Sequence, residues 1–93
     1  MKILIAEDDR VSRSFFQKFM LAYGTCDLAV DGMEALDLYM DAVKAHAPYD
    51  LLCLDIMMPR VDGLKVLKVV RAMEKQHNLP HSKIIMMTAL ADV

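Results

Sequence analysis

Short unbroken apolar runs alternate along this chain with stretches in which apolar residues recur at helical spacing. Residues 2–6 (Lys-Ile-Leu-Ile-Ala) show no polar alternation, which predicts a strand buried on both faces, as in a parallel sheet. Glu7-Asp8-Asp9 ends that run. Val11, Phe15, Phe16, Phe19 and Ala22 then predict a helix, stopped at Gly24. Residues 25–30 predict a second strand, broken at Gly32. Met33, Leu36, Met40, Val43 and Ala47 trace a second helical face that ends before Pro48. Residues 51–55 (Leu-Leu-Cys-Leu-Asp) predict a third strand. Asp62 can cap a third helix that carries Leu64, Leu67, Val70 and Met73 or Glu74, with Asn78 and Pro80 ending it. Residues 83–88 (Lys-Ile-Ile-Met-Met-Thr) predict a fourth strand, and the one long loop precedes it.

The order β-α-β-α-β-α-β predicts an α/β fold with a parallel sheet and right-handed crossovers. Ninety-three residues hold one domain, and a chain this short buries only about 60–65% of its unfolded surface. Composition narrows the function classes. The apolar share of 56% and nine methionines argue against disorder. A net charge of -2 offers no basic patch for nucleic acid and no polybasic membrane signal. No apolar run reaches the roughly 18 residues of a membrane span, and the N-terminal apolar run is too short for a signal peptide. Cys26 and Cys53 sit in apolar context, which reads as reduced cytoplasmic packing and not as a disulfide or metal site.

One feature of this pattern is chemically odd. The greasiest strand ends on a carboxylate, Asp55. In parallel α/β sheets, ligands bind beyond the carboxyl ends of the strands, where strand order reverses. The first strand ends at Glu7-Asp8-Asp9, the third at Asp55 and the fourth at Thr88. If the first and third strands are neighbours, Glu7, Asp8 and Asp55 converge and repel one another. A hard divalent cation such as Mg²⁺ resolves that repulsion. A carboxylate beside Mg²⁺ is also a competent nucleophile toward a phosphoryl group. Asp9 and Asp62 are read instead as helix caps.

The stretches "ILIAEDD", "LLCLDIMMPRVDG" and "IIMMTA" resemble the receiver domain of two-component response regulators, in order and over the whole 93 residues. The resemblance implies a flavodoxin-like sheet of order 2-1-3-4 flanked by helices. It implies Asp55 as phosphoacceptor, Asp8 as direct Mg²⁺ ligand and Glu7 as the acid holding a metal-bound water. Met57 would offer its backbone carbonyl to the metal. Pro59 and Gly63 would shape the loop after the acceptor. Thr88 would be the switch hydroxyl, with Ala89 the small residue beside it. The implied partner is a sensor histidine kinase or a phosphotransfer protein. Receivers also carry a fifth strand and helix, with an aromatic switch residue and a lysine that pairs with the phosphoryl group. No residue here matches those two: Lys83 is at the wrong end of its strand, and Tyr23, Tyr39 and Tyr49 lie upstream. The expectation is a receiver over residues 1–93 cut after its fourth strand, slow to phosphorylate, and paired as a homodimer or swapped oligomer through the open fourth strand.

Two other classes compete. A dehalogenase-type Mg²⁺-dependent phosphatase also uses a strand-end Asp nucleophile, but it needs a second Asp two residues on as general acid, where this chain has Met57. An incompletely folded receiver fragment would act only as an interaction or oligomerisation module.

Overall fold

The computed structural model describes residues 1–87. Thr88 and Ala89 lie outside the described residues. Seven elements follow in order: β1 (Lys2–Ala6), α1 (Arg10–Met20), β2 (Thr25–Ala29), α2 (Gly32–Lys44), β3 (Leu51–Asp55), α3 (Gly63–Gln76) and β4 (Lys83–Met87). The strands form one parallel sheet of order β2-β1-β3-β4. The chain therefore steps outward from β1 to β2, then returns past β1 to β3 and β4. Right-handed crossovers require opposite faces for those two directions. The helices obey: α1 covers one face, and α2 and α3 cover the other.

β1 and β3 are the central strands, and their apolar side chains fill both faces. Leu4, Ala6, Leu52 and Leu54 pack with Ala35, Tyr39 and Ala42 of α2 and with Val66 and Val70 of α3. Ile3, Ile5, Leu51 and Cys53 face α1, where Phe16 and Met20 meet them. Full burial of each Leu or Ile contributes about 1.5–3 kcal/mol, so the central strands carry most of the core energy.

The helix faces differ in detail from the periodic reading. In α1 only Phe16 among the three phenylalanines packs inward; Val11, Phe15 and Phe19 form an exposed stripe. In α2 the buried line is Ala35, Tyr39 and Ala42, while Met33 is exposed. That helix ends at Lys44, and His46 turns the chain with a positive φ of 56°. In α3 the ambiguous position resolves to the acid: Glu74 is buried and Met73 only partly so.

Cys26 and Cys53 are free and lie on strands separated by β1. Two strand spacings place them about 10 Å apart, beyond disulfide reach. Burial, and then Cys26, pushes the Cys53 thiol up to about 11, so it stays protonated and inert. No helix among the described residues is long and apolar enough to cross a membrane.

Candidate functional site

The site forms where β1 and β3 end side by side. β1 gives way to Glu7, whose backbone N–H still donates to the Ala29 carbonyl at 3.1 Å. That extra sheet-like bond carries Glu7 past the strand end with its side chain 8% exposed. Asp8 follows and is exposed. Asp9 then turns the chain into α1 as its N-cap, accepting the Ser12 N–H at 2.8 Å. Arg13, one turn into α1, donates to the carbonyls of Glu7 at 3.0 Å and Asp8 at 3.4 Å. The loop's two carbonyls are thus tied to the helix, and both acids are held at the strand end.

Asp55 closes β3 and is 5% exposed. Its Oδ1 accepts the Met57 N–H at 3.1 Å. The next residue is anchored twice: Ile56 N–H donates to the Met87 carbonyl at 3.0 Å, and its carbonyl accepts from Gly63 N–H at 3.2 Å. Asp55 therefore sits between the end of β4 and the first turn of α3. Asp62 caps α3 by accepting the Lys65 N–H at 2.9 Å.

The structure brings together the three acids that the spacing singled out. Ligand oxygens of Glu7, Asp8 and Asp55 all lie within 4.8 Å of one another. Asp9 and Asp62 stay outside the cluster as caps. The Met57 side chain is 73% exposed. The loop beyond it is a tight turn in which Val61 N–H donates to the Pro59 carbonyl at 2.8 Å and Arg60 has φ 69°. Arg60 reaches Asp31, the N-cap of α2, at 3.8 Å and so links this loop to the neighbouring one. Sequence reasoning missed Arg13 and Arg60. A cation one turn after an acidic loop was a signal for the first; the partner of the second lies 29 positions away in the chain.

The crowding has a measurable consequence. Burial, a hydrogen bond that protonated Glu7 donates to the Asp55 carboxylate and then Asp8 push Glu7 from 4.5 up to about 8. In the folded chain without metal, Glu7 holds a proton at neutral pH that the unfolded chain has released. Its contribution to stability is therefore complete below 4.5 and lost as pH rises through about 8. Melting in a chelator is expected to fall by several degrees from pH 5 to pH 8.5. Glu7→Gln, which cannot ionise, should flatten that slope; an unchanged slope would show that other groups control it.

Residues 3–93 match the family model described as response regulator receiver domain. The chain is 41% identical over 73 residues to the response regulator MprA of Mycobacterium avium (strain 104), a match covering 77% of this chain and 30% of that protein. It is 33% identical over 95 residues to the osmosensing histidine protein kinase SLN1 of Saccharomyces cerevisiae, covering 99% of this chain and 7% of the kinase. The crystal structure of the response regulator TrrA of Thermotoga maritima, in complex with Mg(2+)-BeF, aligns at a TM-score of 0.77 and 31% identity, covering 97% of this chain and 70% of that one. This chain thus spans well under half the length of these curated relatives.

Proposed function

The chain belongs to the response regulator receiver family, and from that premise we propose that it serves a two-component phosphorelay by accepting a phosphoryl group on Asp55. The observation that carries the reading is the convergence of Glu7, Asp8 and Asp55 within 4.8 Å at the carboxyl ends of two adjacent parallel strands. An all-carboxylate donor set with no soft ligand suits Mg²⁺. Glu7, Asp8, Asp55 and the Met57 carbonyl would hold it. When bound, it neutralises the cluster and the oxygens of an incoming phosphoryl group.

The chain's own residues do the rest. Met57 N–H fixes one Asp55 oxygen. An Asp55 oxygen bonds to phosphorus while the bond from phosphorus to the donor breaks. The electron pair leaves with the donor, which for a phosphohistidine is an imidazole that then takes a proton from water. The product is an acyl phosphate on Asp55. Thr88 is proposed to donate its hydroxyl to a phosphoryl oxygen. The donor class is a histidine kinase or a phosphotransfer protein. The chain is an acceptor and not a phosphatase, because the thioether of Met57 cannot act as the general acid that such a hydrolase needs.

Incubation with acetyl phosphate and Mg²⁺ tests the reading. One acid-stable, base-labile phosphoryl group is expected on the peptide holding Asp55, and none on Asp55→Asn. A label elsewhere, or a label that survives in Asp55→Asn, would overturn it.

The proposal extends to self-association through the outer edge of β4. Among the described residues that edge has no strand partner, and Ile85 on it is 51% exposed. Sedimentation at rising concentration should show a dimer; a monomer throughout would remove this part.

A further inference from the structure

β4 reads Lys83-Ile84-Ile85-Met86-Met87. Ile84 and Met86 face α2 and α3, while Ile85 and Met87 face the α1 side. In most strands a slip of one residue exchanges apolar for polar side chains, and that penalty fixes the register. Here it does not. A slip that moves Ile85 to the place of Ile84 and Met87 to the place of Met86 puts the same residue types on the same face. No residue of β4 is fully buried, so packing adds little discrimination.

The register is nevertheless single, with Leu51 opposite Lys83 and Asp55 opposite Met87. The apolar pattern on the face toward α2 and α3 does not select it. At the start of β4 the Ser82 N–H donates to Glu74 Oε2 at 2.7 Å. Arg71 donates to Glu74 Oε1 at 2.7 Å and to the Ser82 carbonyl at 2.9 Å. The Ser82 hydroxyl donates to the Tyr49 carbonyl, on the chain leading into β3. The Glu74 side chain is 1% exposed and Arg71 40% exposed. Both backbone groups of Ser82 are therefore held by the last turns of α3, and its hydroxyl by the start of β3.

We propose that Glu74 is a positioning residue, whose carboxylate selects the register of β4 against β3 and thereby places the β4 end that borders Asp55. The far end of the strand supplies the reason this matters. Ile56 N–H donates to the Met87 carbonyl. A one-residue slip moves that carbonyl by about 3.3 Å and takes Met87 out of its place opposite Asp55. The labelling consequence rests on the phosphoacceptor reading; the register consequence does not.

Two readouts separate them. Interstrand NOEs between β3 and β4 report the register directly. Glu74→Ala is expected to show a second set of β4 signals, with Leu52 contacting Ile85 in place of Ile84. Glu74→Gln retains an oxygen that accepts the Ser82 N–H, and Arg71 can turn to water, so it should keep one register. Glu74→Ala combined with Ile85→Lys should also return to one register, because the slip would now bury a lysine. Asp55 labelling by acetyl phosphate is expected to drop about tenfold in Glu74→Ala, with the midpoint of the Mg²⁺ titration unchanged, and to recover in the double variant. A single native register in Glu74→Ala would overturn the proposal. So would two registers in the double variant. If Glu74→Ala fails to fold, the double variant decides: folded in the native register it supports the role, unfolded it refutes it. Displaced NOEs with no labelling in any variant, including the unmodified chain, would uphold the register claim and refute only the phosphoacceptor reading.

Discussion

Asp8→Asn is expected to weaken Mg²⁺ binding by about 100-fold while raising the melting temperature of the metal-free chain. Loss of a group that merely orients a metal ligand already costs about 10–100-fold, and Asp8 is proposed as a ligand itself. The stabilisation comes from the same charge. Glu7, Asp8 and Asp55 crowd their oxygens within 4.8 Å. Burial first, then hydrogen bonding with Asp55 and Asp8, and last the Asp55 charge push Glu7 up to about 8. Removing one negative charge relieves the repulsion among the three acids in the folded chain and changes little in the unfolded one. Affinity and stability should therefore move in opposite directions. Asp9→Asn is the control: Asp9 is a cap outside the cluster, and asparagine caps about as well. Calorimetric titration with Mg²⁺ and melting in a chelator read both quantities. A melting temperature that falls together with the affinity would mean that Asp8 holds the loop and does not strain it.

Much of this was legible in the sequence, for identifiable reasons. The four strands show because their apolar runs are unbroken, and Asp55 shows because it ends the greasiest of them. The caps Asp9 and Asp62 hold the N–H three residues on, so their role is visible within one turn of chain. The strand order was different. Apolar strands imply a parallel sheet, but only the resemblance implied the order 2-1-3-4.

The parts that stayed hidden depend on partners remote in the chain. Helical periodicity offered Val11, Phe15, Phe16 and Phe19 as one face, and only Phe16 packs on the sheet. Spacing alone says which residues share a stripe; it does not say which edge of the stripe the sheet touches. Periodicity also left Met73 and Glu74 as rivals for one buried position. Composition favours the methionine, since glutamate is rarely buried. Glu74 occupies the position because Arg71 and the Ser82 N–H satisfy its carboxylate, and Ser82 lies across a loop that no periodic rule describes. Glu7 is a third instance. Its raised pKa comes first from burial and then from Asp55, 48 positions later, which the β1–β3 pairing brings beside it.

Gly63→Ala is expected to cost about 3 kcal/mol of stability, roughly 12–24 °C in melting temperature for a chain of this size. Gly63 opens α3, and its N–H donates to the Ile56 carbonyl at 3.2 Å. A methyl group there would stand 2.3 Å from the Asp55 carbonyl oxygen, 2.9 Å from its carbon and 3.1 Å from the Ile56 Cα. All three atoms are backbone, so no side chain can rotate away. Either α3 retreats from the sheet, opening the contacts of Val66 and Val70 with the core, or the end of β3 moves. Both routes disturb Asp55, so acetyl phosphate labelling should fall further than the loss of folded chain explains. Lys65→Ala is the matching control on the same turn, because Lys65 is exposed and such changes usually stay within about 0.5 kcal/mol. Melting followed by circular dichroism, with labelling measured well below the transition, reads both effects. A Gly63→Ala chain that melts with the unmodified one would show that α3 does not press on the acceptor strand as closely as these distances require.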